Sequence, residues 1–177
     1  MFTTISPDGM PNAAPMGLHR ENSRLFARIY ESKTLENILG RPMAAANIAD
    51  DPTIFVQASL SDIEPERFEF FEGFPVLKEA MGWLVFDCRC KKGEKISVVE
   101  LSPINGKINT RKIHPVNRGL NAVIEASIHA TRYVILKERK YLDRIGYYNT
   151  IVQKCGGARE KEAMRLLYSL IENEERK

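Results

Sequence analysis

Alternating polar and apolar positions dominate the first two thirds of the chain, and helical periodicity takes over only in the last third. Residues 2–6 and 10–18 are short extended runs on either side of Pro7-Asp8-Gly9, a turn sequence, and predict a hairpin. Residues 23–30 alternate, with Leu25, Ala27 and Ile29 on one face and Phe26, Arg28 and Tyr30 on the other, as a half-buried strand does. Ser32 can then cap a short helix whose Leu35, Ile38 and Leu39 form an apolar stripe, and Gly40 followed by Pro42 stops it. Residues 43–49 return to an extended run of small side chains. Asp51 and Pro52 open another short helix, as cap and first helical residue.

Residues 61–81 have no regular period. Phe68, Phe70, Phe71 and Phe74, interrupted by Gly73 and Pro75, predict an irregular connection packed by its own aromatics, or alternatively a lid. Residues 82–91 and 95–102 read as strands, and Asn105-Gly106 predicts a further hairpin into 107–113. Beyond His114-Pro115 the period becomes helical. Asn117 caps a helix reaching about Leu136, a second lies near 140–154, and Gly156-Gly157 separates it from a third over 158–175, striped by Ala163, Leu166, Leu167 and Leu170. The expected architecture is α+β: a β-barrel domain over residues 1–114, then a helical region over 115–177 that packs on the barrel or on a partner subunit.

The 177 residues, 44% of them hydrophobic, suit one to one-and-a-half globular domains. A net charge of +3 is too small to argue for nucleic acid. The basic segment with Lys107, Arg111 and Lys112 lacks interleaved aromatics, so a cofactor-free nucleic-acid- or protein-binding barrel is the weakest reading. No apolar run approaches a membrane span, and the N-terminal residues lack the order of a signal peptide. Three cysteines, an odd number, predict reduced thiols and a cytoplasmic setting. Cys88 and Cys90 share a strand face, Cys155 is remote, and His19, His114 and His129 are scattered, so no metal site is expected. Hydrolytic chemistry finds no nucleophile–base set, and Gly156-Gly157 lacks the strand–turn–helix context of a nucleotide loop.

Two groups of residues carry candidate chemistry. Ser32-Lys33-Thr34 at a helix start offers free N–H groups, two hydroxyls and a cation at the positive end of the helix dipole. Asn37 lies one turn on, and Arg28 and Tyr30 leave the preceding strand on a common face as further donors. A phosphate monoester wants this mixture. An ordinary capped helix with solvated polar residues, flanked by Glu31 and Glu36, is the alternative. The second group, Arg118, Glu125, His129 and Arg132, shares one helical face, while Leu120, Ile124 and Ile128 share another. Glu125 stands four residues before His129 and is expected to raise its pKa, giving an acid/base or anion-binding pair; a structural ionic network is the commoner use of such a face.

In order, Ala14-Pro15-Met16-Gly17, Ser32-x-Thr34-x-x-Asn37, Asn47-x-x-Asp50-Asp51-Pro52 and the long run Asn117–Arg132 resemble the FMN-binding split-barrel (flavin reductase-like) superfamily, and within it an uncharacterised, largely archaeal family. The resemblance spans nearly the whole chain. It implies a split β-barrel followed by helices, a homodimer with FMN at the subunit interface, and FMN-dependent hydride or electron transfer with a small-molecule donor or acceptor. A non-enzymatic flavin-binding or electron-carrier protein is the alternative. It further implies that Met16 and Gly17 face the flavin ring, that Ser32, Thr34 and Asn37, with Lys33, hold the phosphate, and that Asn47 lies beside the flavin.

Overall fold

A computed structural model describes residues 1–111 and 115–176. The chain divides into two compact units, Met1–Ala49 with Ile63–Arg111, and Asp50–Asp62 with Lys112–Lys177. The fold class is α+β, an antiparallel sheet unit and a helical unit. Residues 50–62 lie inside the stretch expected to form the barrel domain, yet they belong to the helical unit.

The sheet unit contains β1 (Phe2–Ile5), β2 (Pro11–Ala14), β3 (Leu18–Glu21), β4 (Arg24–Tyr30), α1 (Lys33–Gly40), β5 (Met43–Ile48), β6 (Phe68–Phe71), β7 (Phe74–Leu77), β8 (Gly82–Lys91) and β9 (Ile96–Ile108). Seven of these strands form one sheet in the order β2-β1-β5-β8-β9-β4-β3, every neighbour antiparallel. Its two edges, β2 and β3, are consecutive in the chain and joined only by Pro15, Met16 and Gly17. Seven flat strands would hold their edges roughly 29 Å apart at about 4.8 Å per step. Four Cα steps reach about 15 Å at most. The sheet therefore rolls, bringing its edges towards each other.

The rolled interior holds Phe2, Ala27, Ile29, Ala44, Phe86, Cys88, Val99 and Leu101, and α1 adds Leu35 and Ile38. On the other face Ile5, Ala45, Trp83 and Val85 are covered by Phe74 and Val76 of the β6–β7 hairpin. The aromatic stretch expected to be irregular is thus ordered, with Phe71 lying 4.6 Å from Trp83 between ring centroids. Its turn, Glu72-Gly73, has positive φ at both positions, and the glutamate in the first of them hid the hairpin signal.

Two expectations fail in the strands. Residues 10–18 do not form one run, because the chain leaves β2 after Ala14 and starts β3 on the opposite edge. Asn105-Gly106 is no hairpin either: β9 continues to Ile108, pairing Val85 with Asn105 and Phe86 with Pro103, so that Ile104 is bulged out. Pro103 is tolerated because β4 pairs β9 only from Ile96 to Glu100, leaving the far side of that stretch without a ladder. A Cβ on Gly106 would stand 3.0 Å from Trp83 O and 2.6 Å from the Leu84 side chain, so this glycine lies close against the paired strand and not in a turn. Ile113, the expected end of that hairpin, lies outside the described residues, as do Lys112 and His114.

The helical unit comprises α2 (Pro52–Leu60), α3 (Arg118–Leu136), α4 (Arg139–Cys155) and α5 (Ala158–Glu175), as the periodicity predicts to within a residue or two. Asp51 caps α2 by accepting from the Thr53 N–H at 2.9 Å. The core joins Val56, Val123, Ile145, Val152, Met164, Leu167 and Ile171 to the small residues Ala122, Ala126 and Ala130 of α3. Small side chains let α4 and α5 approach α3 closely. The motif Asn117-x-Gly119 fixes that approach. Asn117 Oδ1 accepts from the Leu120 N–H at 3.1 Å while its amide donates to Glu160 Oε1 at 2.9 Å, and Glu160 Oε2 accepts from the Gly157 N–H at 2.8 Å. One asparagine and one glutamate thereby cap two helices at once. A Cβ on Gly119 would stand 2.6 Å from Gly156 Cα, backbone that cannot step aside. Gly119→Ala is expected to lower stability by about 1–3 kcal/mol in urea unfolding followed by circular dichroism, the cost of overpacking. An unchanged midpoint would mean the two backbones are not in contact.

Candidate functional site

β4 runs directly into α1. Ser32, in extended conformation, caps the helix by accepting from the Leu35 N–H at 3.5 Å and donates its hydroxyl to Tyr30 O at 3.0 Å. The first-turn N–H groups of a helix have no intrahelical acceptor, so this junction is the electropositive end of α1. Lys33 is exposed at its first position. Asp8, on the β1–β2 turn, has its carboxyl held below the usual range, chiefly by the Ser6 hydroxyl and to a smaller extent by the Lys33 charge.

Arg28 and Tyr30 are exposed on the outer face of β4, alongside Phe26. His19 stacks on Phe26 at 5.2 Å between centroids, and the Arg24 and Arg28 guanidinium groups lie 5.8 and 5.7 Å from its ring centre. Arg24 is engaged by Glu100 at 2.5 Å, which leaves Arg28 as the more available cation. Met16 packs in part on the rolled interior, and Gly17 is exposed in the link between the sheet edges. A cleft beside the start of α1 is lined by Glu31, Ser32, Leu35 and Glu36, by Lys92, Glu94 and Lys95 of the β8–β9 turn, and by Ser97 of β9. The two lysines were not legible as site residues. Only the pairing of Tyr30 with Ile96 brings that turn to α1, and strand register is not written in either segment alone.

The remaining polar residues face inward. Asn37 donates to Thr4 Oγ1 at 3.0 Å, and the Asn12 amide reaches Thr4 Oγ1 at 3.4 Å and Thr34 Oγ1 at 3.2 Å. All four are buried. Asn47 lies in a second buried network: its amide donates to Thr3 Oγ1 at 3.1 Å and to Ala45 O and Met1 O, and its Oδ1 accepts from the Leu77 N–H at 2.8 Å. Tyr30, Ser32 and Lys33 thus stand at the β4–α1 junction, Arg28 lies two residues back on β4 with its guanidinium over Phe26, Thr34 and Asn37 turn towards β1 and β2, and Asn47 is set between β1, β5 and β7.

In the helical unit, Arg118, Glu125 and Arg132 are exposed and His129 is half-buried. The imidazole stacks 5.7 Å from Tyr148 and 6.0 Å from Tyr141, with Nδ1 buried and lacking a hydrogen-bond partner. The expected upward pull of Glu125 on its pKa is outweighed. Burial, first, and then Arg132 lower it, Glu125 opposes them, and Arg144 adds to the lowering. His129 is therefore a neutral ring in an aromatic stack. Among the described residues no group of three or more His, Cys, Asp or Glu could hold a metal ion, and no helix is long and apolar enough to cross a membrane.

The rolled antiparallel sheet with one helix at its end is a flavin reductase-like fold. The chain matches the styrene monooxygenase flavin reductase of Pseudomonas putida S12 at a TM-score of 0.51 and 10% identity, over 60% of this chain and 78% of that one. It matches flavoredoxin from Methanosarcina acetivorans at 0.50 and 15%, over 60% and 66%. The chain belongs to the family described as protein of unknown function DUF447, whose N-terminal domain covers residues 1–110 and whose second domain covers 117–169. An FMN-bound DUF447 protein from Methanosarcina mazei is 41% identical over 96% of this chain and 92% of its own, with a TM-score of 0.90.

The His129 environment has a sign that can be measured. Its folded pKa lies below the ordinary 6.5, so below that pH the unfolded chain takes up the proton first. The stability associated with the neutral ring is complete above 6.5 and is lost as pH falls towards the folded pKa. The imidazole resonance of His129 should titrate with a midpoint below 6.5 by NMR, and His129→Phe should flatten that part of the stability profile. A midpoint above 6.5 would restore Glu125 as the dominant neighbour.

Proposed function

We propose that this chain is a homodimeric FMN-binding flavoprotein of the split-barrel type, acting in the cytoplasm as an oxidoreductase that passes hydride or electrons between a small-molecule donor and acceptor. The observation that carries the proposal is the 41% identity, over almost the whole chain, to a protein that holds FMN. The residues present suit the cofactor. The electropositive start of α1, the Ser32 cap, exposed Lys33 and the outward Arg28 and Tyr30 form a donor set for a phosphate monoester. In the adjoining cleft Lys92 and Lys95 stand among Glu31, Glu36 and Glu94, so the charge at the site comes from Lys33, Arg28 and the helix start. Met16 and Gly17 offer backbone without an obstructing side chain at Gly17, where a planar ring can approach.

Thr34, Asn37 and Asn47 serve this site from inside. Their hydrogen bonds hold α1 on β1 and β2 and hold β5 on β1, so they orient the phosphate-binding turn while Ser32, Lys33 and Arg28 make the contacts. When bound, FMN supplies the redox chemistry; the protein positions it and tunes its electronics through nearby N–H groups. The rolled sheet, with edges brought together by a three-residue link, is the half-open barrel that such a cofactor and a second subunit would complete.

Purified protein mixed with FMN and desalted should keep a two-band yellow spectrum. Lys33→Glu and Arg28→Glu should each weaken FMN binding by about tenfold or more, since each replaces a charge-assisted contact by a repulsive one. Protein that stays colourless at every FMN concentration would overturn the proposal. Anaerobic bleaching by a reduced nicotinamide or deazaflavin is the expected sign of an enzyme, whereas bleaching only by dithionite would make the protein a carrier.

A further inference from the structure

α3 buries an alanine-rich face and leaves an isoleucine-bearing one outside. Gly119, Ala122, Val123, Ala126, Ala130 and Tyr133 point into the helical unit. On the opposite side of the helix lie Asn121, Ile124, Ile128, Arg132 and Ile135, with Glu125 on the flank beside Arg132. Ile128 is 39% and Ile135 78% exposed. Two exposed β-branched isoleucines, with half-buried Ile124 on the same helical face, sit poorly with solvent and gain nothing in helix propensity. Among the described residues, neither Glu125 nor Arg132 forms an ion pair.

The spacing of these residues is self-complementary. Asn121 and Ile135 are each seven residues from Ile128, one before and one after. Glu125 lies three before it and Arg132 four after, on the same flank. When two helices pack antiparallel about a twofold axis, each flank meets the same flank of the partner, at positions mirrored about the axis. Placing the axis at Ile128 sets that residue against itself and Asn121 against the partner's Ile135, and brings Glu125 to within one residue of the level of the partner's Arg132, twice.

We propose that α3 pairs antiparallel with α3 of a second copy, Ile128 on the twofold axis and two Glu125–Arg132 pairs closing one flank. The occupant is a second copy because the opposite charges sit on one flank within one residue of mirrored positions, inside the reach of their long side chains, and an unrelated partner would not impose that symmetry. The seam goes beyond the flavin proposal and does not depend on it, since it uses residues of the helical unit alone.

Two measurements on the full chain test the seam. Ile128→Cys, in a Cys155→Ser background that removes the exposed native thiol, should give a disulfide-linked dimer on a non-reducing gel. Thr150→Cys in the same background should not. In sedimentation equilibrium, Glu125→Arg should raise the dimer dissociation constant by about tenfold or more through like-charge contact, and adding Arg132→Glu should bring it back to within about threefold of the original. FMN retention by each variant, read from its spectrum, reports folding independently. A wild-type monomer, an Ile128→Cys protein that does not cross-link, or a folded Glu125→Arg protein with unchanged dimer affinity would each overturn the proposal.

Discussion

Three residues join the two edges of a seven-stranded sheet, and the architecture of the sheet unit follows from that short tether. Because Pro15, Met16 and Gly17 cannot span a flat sheet, the strands roll and enclose an interior wide enough for Phe2 and Phe86 but lined elsewhere by Ala27 and Ala44. α1 fills what remains with Leu35 and Ile38. A helix held only by apolar contacts could slide or rotate. The buried set of Thr4, Asn12, Thr34 and Asn37 removes that freedom, because hydrogen bonds between buried groups are costly to break and directional. The outcome is a helix start fixed in direction, with Ser32 and Lys33 at its tip and Arg28 beside it.

Much of this was legible in the sequence because it is local. Caps at Ser32, Asp51 and Asn117, the alternation over 23–30 and the apolar periodicity of the three long helices depend on neighbouring residues alone, and the structure reproduces them. What the sequence concealed is set by pairing at a distance. β9 runs through Asn105-Gly106 because it stays paired with β8, Leu84 opposite Gly106, with a bulge at Ile104 absorbing the mismatch. The β6–β7 hairpin was obscured by a glutamate at a position where turns favour glycine or asparagine. Lys92 and Lys95 reach α1 only through the register of β4 on β9.

The candidate residues divide by the same logic. Spacing along a helix identifies which side chains share a face, but not whether that face is wet, and Thr34 and Asn37 turn inward while Ser32 and Lys33 do not. His129 shows the limit of pairwise reasoning more sharply. A glutamate one turn away argues for a raised pKa, yet burial against Tyr141 and Tyr148 of α4, with the charges of Arg132 on α3 and Arg144 on α4, reverses the sign. The long motif beginning at Asn117 owes much of its specificity to structure: the asparagine and Gly119 hold α3 against the α4–α5 turn, leaving the isoleucine face turned outward.

The central claim is that the start of α1 holds the phosphate of a flavin mononucleotide. Comparing the affinities of FMN and riboflavin by flavin fluorescence quenching isolates it, because the two ligands differ only in that phosphate. The account predicts FMN to bind at least about tenfold more tightly, with the difference shrinking in Lys33→Glu while riboflavin affinity stays unchanged. Equal affinities for the two ligands, or a preference untouched by Lys33→Glu, would place the phosphate elsewhere and contradict the account.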